Sequence, residues 1–374
     1  MKRRPLLRAS GAAIVGSVAL SGTASAATTT VAGGGDALQD AIDDAADGDT
    51  IVVTDSGTYD PIVVDVSVTI ETDADPTIEG DGGTGAAVSI AADDVTLDGF
   101  TATNPGGLLG VKVGREHDDA TIVNNTVEDV GPTGRLGVTG VIVGQGDHDG
   151  IEIRNNVIRN LDQETTEDSG FPTVNGVLFD ADNSDPGTLS NSEVNNNTIS
   201  GLESDIAPLG IVVQHETAGV AINNNEIRDL VAADDTDSDQ SDGVEFGFTF
   251  AQGINIASPS TADTDINHNL IEEITSAETI LPEAVKIDGD GGGTTFRANR
   301  FLVAVGLNNR NGTDGGGRDP SGDPVVDAKN NYWGSRKGPE EADFNQDADD
   351  DGRADVVGNV TYEPFLRRPP GGDA

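Results

Sequence analysis

Lys286 stands third in the phrase AVKI (284–287), Asp288 follows that phrase, and Asn255 stands third in the matching phrase GINI (253–256). A lysine, a carboxylate and an amide on one surface could take the α-proton of a sugar acid and neutralise its carboxylate, as β-elimination requires. Corresponding positions of other phrases hold Asp180, Gln214 and His215, whose side chains could bind sugar hydroxyls. A glycosidase would instead need two carboxyls about 5–9.5 Å apart. Asp180 and Asp288 lie three repeats apart, about 14 Å at one strand spacing per repeat, so they form no such pair. Phe246 and Phe248, in an alternating run with Phe250, offer either an aromatic platform for sugar rings or a small strand packed on the body of the protein.

Asp347-x-Asp349-x-Asp351-Gly352-x-x-Asp355 has the oxygen spacing of a calcium loop. Position 12 is Gly358 rather than a bidentate glutamate, so an EF-hand is not supported, and calcium is the one cofactor expected. Copper is not expected: cysteine is absent, the one methionine is Met1, and the histidines, at 117, 148, 215 and 268, are scattered. Neither haem nor nucleotide is expected.

The elements that must position these residues announce themselves as a repeat. Seven short phrases carry an asparagine in the same place: Asn125, Asn156, Asn197, Asn225, Asn269, Asn299 and Asn331, spaced by 31, 41, 28, 44, 30 and 32 residues. Strand-like units at such a period form a solenoid in which each coil buries its core against its neighbours. Stacked asparagines can hydrogen-bond from rung to rung, as a ladder. Asp98 is expected to hold the ladder position of an earlier rung. A Gly-apolar-x-apolar phrase precedes most ladder asparagines, and from Gly110, Gly140, Gly176, Gly210, Gly253 and Ala284 the distance is 15, 16, 21, 15, 16 and 15 residues. The outward positions of that strand read Lys112, Ile142, Leu178, Val212, Asn255, Lys286. The fold expected is all-β: a right-handed, single-stranded parallel β-helix of about nine coils, closed at its N-terminal end by a capping helix over 36–47. Asp36 is its expected N-cap, with an amphipathic run from Ala37 to Ala46. Insertions at 162–175 and 231–250 leave the coil at one corner, two coils apart, where they could wall a cleft. The single domain is expected over 27–366, with an acidic loop at 343–358 and a disordered tail at 367–374.

Residues 1–26 read as a leader: Arg3-Arg4 with Leu6-Leu7 behind, a short apolar run, and Ala24-Ser25-Ala26 as the cleavage site. The paired arginines suggest twin-arginine export, hence a secreted or surface-associated protein. The leader holds four of the 21 basic residues and no acid, leaving 17 against 66 and a net charge of −49. Such a chain repels itself in dilute buffer and is screened in molar salt, a balance expected of an extreme halophile. Nucleic acid is excluded as a partner for want of a basic surface. The apolar runs are too short to span a bilayer. A monomer is expected.

The opening LQDAIDDAADGDTIVV…GTYD, the TLDGF rung, the recurring NN-x-I and the closing NNYWGSRKGP with VTYEPFL resemble the right-handed parallel β-helix repeat family. That group includes pectate-lyase-like proteins and a periplasmic accessory protein of nitrous oxide reductase. The resemblance spans about residues 36–366 and implies fold more than activity, since the fold hosts lyases, hydrolases, epimerases and non-enzymes. The motif residues of polygalacturonases and pectin methylesterases are not found. Two functions remain open. The first is a protein that binds polysaccharide or is presented at the cell surface, favoured by the lack of an acid–base constellation. The second is a polysaccharide lyase acting on uronate-containing glycans.

Overall fold

The computed structural model describes residues 25–132, 137–163, 173–182, 184–233, 250–276, 281–288, 291–309, 325–342 and 353–370. Its strands form three long sheets of twelve, eleven and ten strands, with a four-stranded sheet at one corner. The strands pair in parallel from Thr28–Val31 against Thr50–Val53 at one end to Val326–Asp327 against Val360–Thr361 at the other. This is a parallel β-helix. One coil runs through Ala207–Val213, Glu216–Ala218, Ala221–Asn223 and Glu226–Ala232. The Gly-apolar-x-apolar phrase forms the first of these strands, and the ladder asparagine lies at the corner between the last two.

The rod is longer than the expected nine coils. Its longest sheet has twelve strands, because rungs at both ends lack the paired Gly and Asn phrases that mark the middle. At ~4.8 Å per rung it extends roughly 50 Å.

Inward side chains stack in register. Val141, Val177, Ile211, Ile254 and Val285 are successive partners on one sheet and are fully buried. Ile158, Ile199, Ile227, Ile271 and Phe301 do the same on another. Each such side chain contributes about 1.5–3 kcal/mol by burial. The last rungs change to aromatics: Trp333 is fully buried, its ring 5.0 Å from Phe301 and 6.5 Å from Tyr362.

The capping helix is shorter than expected, Ala37–Asp43, and the Asp36 side chain makes no capping hydrogen bond. Leu38 and Ile42 are buried against the first rungs, which is the face a cap must supply. The insertions are also narrower than expected. Asp162 and Gln163 still belong to the strand Val157–Gln163, Thr173 already opens Thr173–Phe179, and Val231 and Ala232 close Glu226–Ala232. Residues 164–172 and 234–249 lie outside the described residues, Phe246 and Phe248 among them. The expected leader through residue 24 does too, while Arg367–Pro370 of the expected tail are described. No helix among the described residues is long and apolar enough to cross a membrane.

Candidate functional site

The ladder sets the register that brings the site together. The backbone N–H of Asn156 donates to Asn197 Oδ1 at 2.9 Å, and Asn156 Nδ2 donates to the same oxygen at 3.1 Å. Asn156 Nδ2 also donates to the Ile122 carbonyl of the preceding coil at 2.8 Å. The pattern repeats through Asn125, Asn197, Asn225, Asn269 and Asn299 and ends at Asn331, whose amide donates to Phe296 and Ala328 carbonyls. Asp98 is not part of it. Asp98 pairs with Val123, and Phe100 holds the ladder position, its N–H donating to Asn125 Oδ1 at 2.9 Å.

On the sheet formed by the Gly-apolar-x-apolar strands, Lys112, Ile142, Leu178, Val212, Asn255 and Lys286 are successive partners, as counting from the phrases predicts. They are not equally open. Lys112 is exposed and Ile142 and Leu178 half-buried, whereas Val212, Asn255 and Lys286 keep only 3%, 8% and 7% of their surface.

Around Lys286 the structure gathers a polar cluster larger than the expected Lys286, Asp288 and Asn255. The Lys286 ammonium lies 3.4 Å from Asp288 Oδ1. Asn255 Nδ2 donates to Gln252 Oε1 at 2.8 Å and to Asp288 Oδ2 at 3.2 Å. Gln252 Nε2 donates to Glu283 Oε2 at 2.8 Å, and Asn308 Nδ2 donates to Glu283 Oε1 at 2.6 Å. Two carboxylates of one coil are thus held by amides of the two coils that flank it, with the Lys286 ammonium against one of them. The sequence pattern does not single out Gln252, Glu283 and Asn308, although Gln252-x-x-Asn255 and Glu283-x-x-Lys286 repeat the same spacing one coil apart. Asn255 Oδ1 makes no hydrogen bond, and Asp288 Oδ1 faces the Lys286 ammonium.

Asp180 and Gln214 lie further along the same side, at the end of the strand. Asp180 is half-buried, and burial pushes its carboxyl above the usual range, opposed by a 3.5 Å hydrogen bond from Gln145 Nε2. Gln145 Oε1 accepts from Arg115 Nη1 at 2.9 Å, and Gln214 Oε1 accepts from the Ala181 N–H at 3.2 Å. The structure does not bring Asp180 to Asp288: Gln214 and Ala257 occupy the rungs between them.

His215 does not lie where the pattern places it. It points inward with no exposed surface, its ring 5.6 Å from that of His148, so it cannot touch a ligand on the outer face. Burial, then the neighbouring His148, pushes its pKa down to about 4; carbonyls of Phe179, Gly146 and Gly144 oppose the shift. Neither ring nitrogen makes a well-formed hydrogen bond. Alternation runs unbroken through the corner between Val213 and Glu216: Gln214 is half-buried, His215 buried and Glu216 exposed, so the residue after the outward Gln214 faces in.

Of the calcium positions, Asp347, Asp349 and Asp351 lie outside the described residues. Asp355 opens the strand Asp355–Gly358 and is buried in the sheet, paired with Val305. Among the described residues no group of three or more His, Cys, Asp or Glu is placed to hold a metal ion.

No family model and no curated protein matches the chain. Among solved structures it is similar to the crystal structure of alginate lyase from Paenibacillus sp. str. FPU-7, with a TM-score of 0.51, 14% identity and coverage of 89% of this chain and 99% of that one. A PL6 family polysaccharide lyase from Pseudopedobacter saltans aligns over 90% of this chain and 92% of its own at 10% identity, with a TM-score of 0.28, too low to bear on the fold. The first likeness is one of fold: a parallel β-helix along nearly the whole of both chains.

Proposed function

We propose that the chain is an exported protein that cleaves a uronate-containing polysaccharide by β-elimination at Lys286 and Asp288. The observation that carries this reading is the Lys286 ammonium and Asp288 carboxylate 3.4 Å apart on the outer side of the sheet, the carboxylate also accepting from the Asn255 amide of the neighbouring coil. In such a reaction the C5–H bond breaks, its electron pair forms the C4=C5 double bond, and the C4–O4 bond breaks. O4 leaves as a hydroxyl once protonated. Two groups are needed near the sugar: an acceptor for the C5 proton, and a positive charge or hydrogen-bond donor on the carboxylate as the enolate forms. Lys286 and Asp288 supply these between them, with the Asn255 amide beside them. The alginate lyase of similar fold acts, by its name, on alginate, a uronate polymer, which supports testing that substrate class first.

The test is incubation of the mature chain with alginate and polygalacturonate in molar salt with calcium, following the absorbance of the unsaturated product. Lys286→Ala is expected to lower the rate by at least ~100-fold, the usual worth of a proton-transfer group. Lys286→Arg keeps the charge and separates that role from proton transfer, and Asp288→Asn tests the carboxylate. Circular dichroism establishes that each variant is folded. Full activity in Lys286→Ala would move the chemistry elsewhere. Retention on a polysaccharide with no product from any of them would favour the second reading, a binding or surface protein.

A further inference from the structure

We infer that Lys112 and Arg115 form a remote anchoring subsite for a carboxylate of the same polymer. The polysaccharide chain would run from the Lys286 rung toward the N-terminal coils, past the buried Val212 and over Leu178 and Ile142. This subsite rests on the proposed polyuronate substrate and adds its direction and minimum length.

Charge sets this row apart. Acidic residues outnumber basic ones 66 to 21, yet the row through Lys112, Ile142, Leu178, Val212, Asn255 and Lys286 carries no acid. It stays acid-free beyond its ends, with Val63 and Ser89 on one side and Asn308 and Val357 on the other. The adjoining sheet differs: the same stretch of rod puts Glu152, Glu193, Asp265 and Asp327 on one of its rows.

The cations differ in the same sense. Arg154, Arg159, Arg228 and Arg297, on the other two sheets, are each paired with a carboxylate. Lys112 and Arg115 have no ion pair among the described residues. Arg115 is held instead by the Gln145 side chain at 2.9 Å, and Asp182 feels its charge only from a distance. An exposed lysine and arginine with no carboxylate in contact, beside an acid-free strip in so acidic a protein, suit an anionic chain. Half-buried Ile142 and Leu178 suit the C–H faces of sugar rings, and Gln145, Asp180 and Gln214 along the edge offer partners for hydroxyls.

Lys112 and Lys286 are five rungs apart, roughly 24 Å. An extended pyranose chain advances by about one rung spacing per ring, so roughly five sugar residues bridge the two cations. Shorter oligomers can occupy only one end.

The experiment measures binding of oligomannuronates and oligogalacturonates, shorter and longer than the track, by calorimetry on the mature chain at a salt concentration that keeps it folded. Wild type, Lys112→Glu, Arg115→Glu and the control Arg154→Glu are compared. The long oligomers are expected to bind wild type at least tenfold more tightly than the short ones. Lys112→Glu is expected to abolish that advantage, Arg115→Glu to reduce it, and Arg154→Glu to leave it unchanged. Equal losses for short and long oligomers, no loss in Lys112→Glu, or the same loss in the control would overturn the subsite. Length-dependent binding that needs Lys112, with no product formed, would retain the subsite and remove the lyase reading. Product formation indifferent to Lys112 would do the reverse. No binding of any oligomer by wild type would remove both.

Discussion

Asn196 and Asn197 are neighbours in sequence with different tasks. Asn196 takes the left-handed turn at φ 57°, as do Asn124, Asn155, Asn224 and Asn330 before their own ladder residues. Such backbone costs asparagine less than most residues. Asn197 then turns inward and donates to the Ile153 carbonyl and to Asn225 Oδ1 at 2.8 and 3.0 Å, while accepting from Asn156. Asn197→Ala leaves a buried N–H and a buried carbonyl without partners and should cost roughly 3 kcal/mol, read as a lower unfolding midpoint in denaturant. His215 supplies a test by pH. Its pKa falls from 6.5 to about 4 on folding, so the unfolded chain binds the proton first as pH drops. The stability this neutral histidine contributes is present above pH ~6.5 and lost as pH falls toward ~4, up to roughly 3 kcal/mol. His215→Leu should flatten the difference between unfolding midpoints measured at the two ends of that window. An unchanged slope would mean that the ring is not held neutral.

At the scale of the strand, the repeated glycine explains both what is legible in the sequence and what is not. A Cβ on Gly210 would collide with the Gly253 carbonyl oxygen and lie 2.8 Å from the Ile227 side chain. Adjacent coils therefore meet backbone to backbone there, and Gly210→Ala should cost about 1–3 kcal/mol in thermal unfolding, as overpacking does. This close contact keeps the phrases in register, so counting from the glycine places Lys112 through Lys286 in one row. It also bends the strand. Gln252 and Asn255 reach the same outer side and hydrogen-bond although they are three positions apart, which strict alternation forbids. Gln252 and Glu283 are invisible to a period of two for that reason, whereas Asn308 lies in the Lys286 row and is missed because its phrase, GLNN (306–309), lacks the second apolar residue that marks the others. His215 is different: alternation counted from Val212 runs through the corner and turns it inward, and only the expectation that the position after Gln214 also faces outward places it among the ligand-binding residues. The depth of Val212, Asn255 and Lys286 is not legible either, because what surrounds a strand comes from distant sequence.

Charge dominates the behaviour of the whole molecule. A net −45, or −49 without the expected leader, is spread over a rod with few ion pairs on its sides among the described residues. Raising salt shortens the Debye length from ~10 Å at 0.1 M to ~3 Å at 1 M, so self-repulsion weakens steeply. The melting temperature should rise substantially over that range, and a flat or falling curve would count against adaptation to high salt.

The hydrogen bonds between rungs lie along the rod, and this has a mechanical consequence. A load applied at the two ends opposes each rung's bonds head-on, so they open one rung at a time rather than sharing the strain in shear. Each opening in the middle of the rod frees one repeat, 28 to 44 residues long by the ladder spacing. At ~3.4 Å per extended residue that is roughly 95 to 150 Å of slack. The unequal insertions would then set the step lengths by which the rod lengthens under tension.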